Sequence, residues 1–254
     1  DYTNWDIQGT DKAKVIPGAR SADDHYLELD QNEENLVRYA SSKFENVILV
    51  INSSSPLELG FLKDGSYGNV KSAVWIGHTG GTGINAFGKV IAGEINPSGR
   101  TVDTYTYDFT TDPAYQNFGN NKTGDGNAYR TSENKKDIKK AYMVEYEEGI
   151  YVGYRYTETR YEDTVLGQGN AGEFNYDEVV KYPFGHGLSY TKFDWEIVSL
   201  SIPSGSVINT DSEITVQVRV TNSGNVAGKD VVELYLTAPY DKNSEEGNIE
   251  KAHV

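Results

Sequence analysis

Acid–base chemistry in this chain would fall to its carboxylates. It carries 38 Asp and Glu, four His and no Cys. Lack of cysteine removes disulfides and thiolate zinc sites, and four scattered histidines do not make a histidine metal cluster. In a polar N-terminal loop stand Asp23, Asp24 and His25, the candidate substrate-binding residues. Such a trio could bind a sugar or a metal, although short acidic clusters in polar loops are usually just solvated; no metal is assigned. Gly81-Thr82-Gly83-Ile84-Asn85-Ala86 fits G-x-G-x-x-A, with Asp103 about twenty residues on. The strand before it should end near Gly77, too early for the first glycine, and Asn96-Pro97-Ser98-Gly99 intervenes before the acid. These glycines therefore read as a close strand-to-helix turn, and no cofactor is expected. His186, between two glycines, reads as a structural hydrogen-bonding residue. The alternating Asp241, Asn243 and Glu245 lack a glycine where a calcium loop needs one.

The elements that position these groups fall into two patterns. Asp30-Gln31-Asn32-Glu33 has the spacing of a capping box, and Leu36, Tyr39 and Ala40 follow on one face of a helix ending near Phe44. Val47 to Ile51 is an unbroken apolar run, as expected of a parallel strand covered on both faces. Ser55-Pro56-Leu57-Glu58 suggests a second cap and a short helix toward Leu62. Val70 to Ile76 is a second buried strand, and a helix from about Ile84 to Ala92 stops at Gly93. Strand–helix alternation with short connections indicates a doubly wound sheet. Thr101 to Tyr107 alternates like an edge strand. Phe109 to Lys140 reads as a long surface insertion, Ala141 to Tyr156 is dense in Tyr, and Tyr161 to Val180 reads as a polar loop.

After Asp194 the pattern becomes purely β, with strands expected over Trp195–Ile202, Ile214–Val220 and Val231–Leu236. The fold class is thus α/β, an α/β sandwich with a mostly parallel sheet, over residues 1–193. A partial β-sandwich follows over 194–254, since a complete one needs about seven strands. The chain has 254 residues and a formal net charge of −15, which repels phosphate backbones and argues against nucleic acid. No apolar run reaches transmembrane length. The start at Asp1 without Met is expected of a piece of something longer.

Tyr182-Pro183-Phe184-Gly185-His186-Gly187-Leu188-Ser189-Tyr190-Thr191 joins the two patterns. It resembles the closing motif of the second domain of family 3 glycoside hydrolases of the β-glucosidase and β-xylosidase type. Other blocks are similar to that family in the same order: Asn46 to Ser53 with Pro56-Leu57-Glu58, Ala73 to Gly77, Gly93 to Arg100, Glu148 to Tyr156, and Asn222-Ser223-Gly224-Asn225 with Gly228. The resemblance implies a retaining, exo-acting β-glucosidase, with β-xylosidase as the rival and a non-catalytic carbohydrate-binding or structural module as the alternative. It implies two carboxylates about 5–5.5 Å apart, the nucleophile on a separate (β/α)8 barrel. The acid/base Glu should stand in a Gly-Glu-Gly-like loop, and no such triplet lies before Asp30. No catalytic residue is therefore assigned, and the chain alone is expected to be inactive. The loop 1–26 would form one wall of the cleft. The implied partners are β-linked glucosides or oligosaccharides and the barrel of the same enzyme, with the later β pattern opening a fibronectin type III-like domain. Compartment stays open, a bacterial source with secreted or cell-surface placement being favoured over a cytoplasmic one.

Overall fold

The computed structural model describes residues 18–21, 24–63, 65–117, 148–167, 172–209 and 211–236. Asp23 and the Asp241 to Glu245 run lie outside them. Two compact units emerge. One contains the described residues up to His78 together with Thr101–Phe184; the other combines Thr79–Arg100 with Gly185–Tyr235.

In the first unit, helix α1 spans Gln31–Lys43. Asp30 accepts from the N–H groups of Asn32 and Glu33, both at 2.8 Å, and the Glu33 carboxylate accepts the Asp30 N–H at 2.9 Å. This is the capping box read from the sequence. The buried residue is Val37, which joins Leu29 and Tyr67 in the core, with Leu49, Leu57, Phe61, Leu62 and Val70 packed around them. Leu36 and Tyr39 are 67% and 62% exposed, so the expected apolar face is the wrong one. Asp30→Ala removes the side-chain half of the box, leaving the backbone N–H to donate to Glu33, and should cost about 1 kcal/mol, read as a drop in thermal midpoint with unchanged secondary structure.

Strands β1 (Val47–Ile51) and β2 (Val70–Trp75) pair in parallel, as the unbroken apolar runs predicted. Burial is less complete than expected: Ile48 and Val50 stay 45% and 41% exposed. The helix expected over 55–62 is only a 3-10 turn at Gly60–Leu62. Its would-be first-turn acid, Glu58, is drawn away to other partners, as shown below. Short strands β3 (Tyr105–Thr106) and β4 (Val180–Tyr182) pair antiparallel. Helix α3 covers Pro113–Asn117.

Helix α4 spans Tyr154–Leu166, and its second half lies where a polar loop was expected from Tyr161. Its N-cap, Gly153, has φ 61, and a Cβ there would sit 3.0 Å from an Asp103 carboxylate oxygen. Asp103 also accepts the Tyr154 N–H. A capping carboxylate satisfies an otherwise orphaned amide of the first turn. The Tyr154 ring stacks on Phe184 at 4.2 Å between centroids. Tyr176, at the start of the short helix α5 (Tyr176–Val179), donates to Glu158 at 2.6 Å.

The second unit begins with α2 (Gly80–Ile91). Its glycines lie inside the helix rather than in a turn ahead of it, which leaves no phosphate cradle of the dinucleotide type. Strands β5 (Phe193–Leu200) and β6 (Val216–Asn222) form an antiparallel pair in the expected places. Among the described residues, 231–236 forms no strand, having no ladder partner there. Between helix and hairpin, Asn96 accepts from Ser189 Oγ at 3.0 Å and Tyr190 N–H at 2.8 Å, and donates to the Ala227 carbonyl at 3.1 Å. Burial, and then the positive charge of Arg100, lower the pKa of His186. Among the described residues no helix is long and apolar enough to cross a membrane.

Candidate functional site

Ligands of parallel α/β sheets gather at the carboxyl ends of the strands. From that end of β2, aromatic rings run outward in sequence. Trp75 meets Tyr105 at 6.5 Å, Tyr105 meets Phe109 at 6.1 Å, Phe109 stacks on His25 at 6.4 Å, and His25 meets Tyr115 at 5.6 Å. Trp75 Nε1 donates to the Ser53 carbonyl at 2.8 Å, tying this row to the chain after β1.

Two of the sequence-predicted residues, Asp24 and His25, stand at the end of the row, each 8% exposed. Asp24 Oδ2 accepts the Arg20 N–H at 2.5 Å and Arg20 Nε at 3.2 Å, and Oδ1 accepts Ser21 Oγ at 2.8 Å. Burial alone would raise the Asp24 pKa. The Arg20 amide, the Ser21 hydroxyl and the Arg20 guanidinium outweigh it, so the carboxyl stays below its ordinary value. Both oxygens are thus used within the loop. His25 Nδ1 accepts the Leu27 N–H at 3.2 Å, and Nε2 lies 3.1 Å from Glu58 Oε2. A ring nitrogen that accepts a backbone N–H carries no proton, so this network assigns the proton to Nε2, which donates to Glu58. Glu58 Oε2 also accepts the Phe109 N–H at 2.6 Å.

His25, Glu28 and Glu58 bring one potential ligand atom each to within 4.8 Å of one another. A metal-bound neutral imidazole donates its other N–H outward, whereas Nδ1 here receives one. Glu28 is engaged as well, taking the His25 N–H at 2.9 Å and Arg20 Nη2 at 3.3 Å. The trio forms a hydrogen-bonded cluster whose tautomer opposes metal ligation.

Arg20 is the hub that the sequence reading missed. Its guanidinium reaches Asp24, Glu28 and Glu34 at 3.2, 3.3 and 3.5 Å. Glu34 sits in the first turn of α1 and is shared with Arg38 at 2.5 Å and the Tyr67 hydroxyl at 3.2 Å. The Gly18 carbonyl accepts the Gln31 N–H at 2.8 Å, fastening the loop to α1 a second time. Glu58, Phe109 and Tyr115 were also missed as site residues. Glu58 carries a local pattern that points to a helix start, and no local signal connects the other two to His25. The arrangement is a hydrogen-bonded rim, joined to the end of β2 by the aromatic row from Trp75.

Such a molecule is of the α/β class. Residues 7–154 match the glycosyl hydrolase family 3 C-terminal domain, and the chain belongs to that family. It is 30% identical over 212 residues to thermostable beta-glucosidase B of Acetivibrio thermocellus, covering 83% of this chain and 22% of that one. It is 31% identical over 240 residues to beta-glucosidase A of Butyrivibrio fibrisolvens, covering 91% and 25%. The solved β-glucosidase of Kluyveromyces marxianus in complex with glucose superposes with a TM-score of 0.59 at 27% identity, covering 90% of this chain and 22% of that chain. The chain therefore spans about a quarter or less of the length of these relatives.

Proposed function

We propose that the chain is part of a retaining, exo-acting β-glucosidase and that its loop ending at Tyr26 supplies one wall of the cleft. The reading is carried by the family match over 7–154; the rim fits it, because Arg20, Asp24, His25 and Glu58 tie the described part of the loop together and the aromatic row joins it to the end of β2, the end at which ligands of such sheets gather. Asp24 and His25 act here by giving the wall its shape. In this reading the barrel of the parent enzyme carries the nucleophile, and a β-linked glucoside binds between barrel and wall. Retaining cleavage needs two carboxylates acting on one glycosidic bond; groups that act as a unit lose most of their effect when either is absent.

The test is an aryl β-glucoside assay of the 254-residue chain, alone and with the separately expressed barrel, with an aryl β-xyloside run in parallel. The chain alone should give no turnover above buffer, and activity should appear with the barrel. Turnover by the chain alone that disappears on an Asp24→Asn change would overturn the division of labour. Faster cleavage of the xyloside would make the parent a β-xylosidase. Saturable heat release with cello-oligosaccharides, without any barrel-dependent turnover, would leave a binding module.

A further inference from the structure

Thr106, 3% exposed, holds its hydroxyl 3.2 Å from two acceptors, the Asp108 carbonyl oxygen and Asp112 Oδ2. A hydroxyl has one proton to donate and a backbone carbonyl has none. Both contacts are full two-centre hydrogen bonds at once only when Asp112 is the carboxylic acid. Its O–H then donates to Thr106 Oγ1, which donates to Asp108. The surrounding carboxylates favour the same state. Asp108 is held by the Thr110 N–H and hydroxyl, Asp103 by the Thr104 and Tyr154 N–H groups, and Glu58 by the Phe109 N–H and His25. Each of those three thus accepts from two donors. Thr106 is the one hydrogen-bonding partner of the Asp112 side chain among the described residues, and that carboxyl faces the field of the other three.

We propose that Asp112 is a neutral acid that latches the 3-10 turn Phe109–Thr111 to β3, and that its ionisation loosens the turn. Burial is the main cause raising this carboxyl from 3.8 to about 7; the Thr106 bond opposes it, and Asp103, Asp108 and Glu58 add to it. The latch reaches the rim because Phe109 both donates to Glu58 and stacks on His25. Any consequence for a sugar cleft rests on the function proposed above; the protonation of Asp112 does not.

As pH rises from about 4, the unfolded chain loses this proton first, while the native chain keeps it to about 7. Stability from this group is therefore full below about pH 4, falls through that window and is lost above it. The folding equilibrium should fall relative to Asp112→Asn by up to about tenfold per pH unit within it. The amide is uncharged and can donate to Thr106, so it copies the protonated acid. Chemical denaturation of wild type and Asp112→Asn across pH 4 to 8 reads the gap, and the difference removes the contribution of groups not coupled to Asp112. Carboxyl 13C NMR of the wild-type chain measures the midpoint directly, whether or not the variant folds, and the Phe109 amide shift should follow that midpoint. An Asp112 midpoint near 4, or a gap that does not widen with pH, overturns the proposal. Loss of glucosidase activity in the parent with the Asp112 midpoint unchanged would count against the cleft reading and leave the latch standing.

Discussion

Gly187→Ala should destabilise the unit containing the β5–β6 hairpin by about 3 kcal/mol, the upper end for overpacking a tight contact. A Cβ at 187 would fall on the Gly99 carbonyl oxygen and within 2.8 Å of Arg100 Nη1 and 2.9 Å of Arg100 Cδ. The side chain of Arg100 could turn aside, but the backbone beneath it is fixed. Asn96 ties the segment to Ser189, Tyr190 and Ala227, Ser98 Oγ accepts the Lys229 N–H at 3.2 Å, and Arg100 pairs with Asp230 at 2.9 Å. Asp230 also accepts Trp195 Nε1 at 2.9 Å, anchoring the first strand of the hairpin. To admit one methyl group the chain would have to open several of these bonds together. Thermal unfolding should shift down by roughly 12–24 °C for a unit of this size. Gly99→Ala is the control, because a Cβ there meets nothing within 4 Å; it should stay within about 0.5 kcal/mol, as surface changes do. Equal shifts in the two variants would refute a role for the close approach.

That clasp also explains which parts of the chain could be read in advance. Gly93 to Arg100 and Gly185 to Thr191 stand out as motifs because glycine, asparagine and arginine are irreplaceable where two backbones touch. Capping at Asp30 is legible for a similar reason, since donor and acceptor lie three residues apart. Helix α4 was not, because its cap comes from Asp103, fifty residues earlier in the chain, and no local window contains that information. Glu58 failed in the opposite way. Its spacing after Ser55 and Pro56 is a genuine helix-start pattern, but His25 and Phe109 offer the carboxylate stronger partners. On α1 periodicity alone could not distinguish Val37 from Leu36 and Tyr39. The choice is made by where Leu29 and Tyr67 arrive. Of the candidate site, Asp24 and His25 were visible as a polar cluster, but their inward hydrogen bonding depends on residues scattered from 20 to 58 and their ring contacts on residues 109 and 115.

Arg20→Gln should cost about 2 kcal/mol at neutral pH, between the values for exposed pairs and for fully buried ones broken on one side. The guanidinium is 29% exposed and serves three carboxylates, of which Asp24 is the most enclosed at 11%. Glutamine cannot balance them, so Asp24, Glu28 and Glu34 would be left facing one another across the loop and α1. Glu34 would still have Arg38 and Tyr67, whereas Asp24 would retain the Arg20 backbone amide and Ser21. Lysine retains the charge without the fork that spans several carboxylates, and Arg20→Lys should recover about half of the loss. The pH dependence gives the sharper test. Hydrogen bonds from Arg38 lead the lowering of Glu34, while Arg20 and Ser21 lower Asp24 against the opposing effect of burial. Depressed carboxyls contribute stability above their unfolded values of 3.8 and 4.5 and lose it as pH falls through the lower native values. The gap between wild type and Arg20→Gln should therefore be open at pH 7 and close steadily below about pH 4. It should also narrow in high salt, which screens the part-exposed pairs first. A gap that stays constant on acidification would mean that Arg20 acts through packing of its aliphatic stem, and the electrostatic account of the rim would fail.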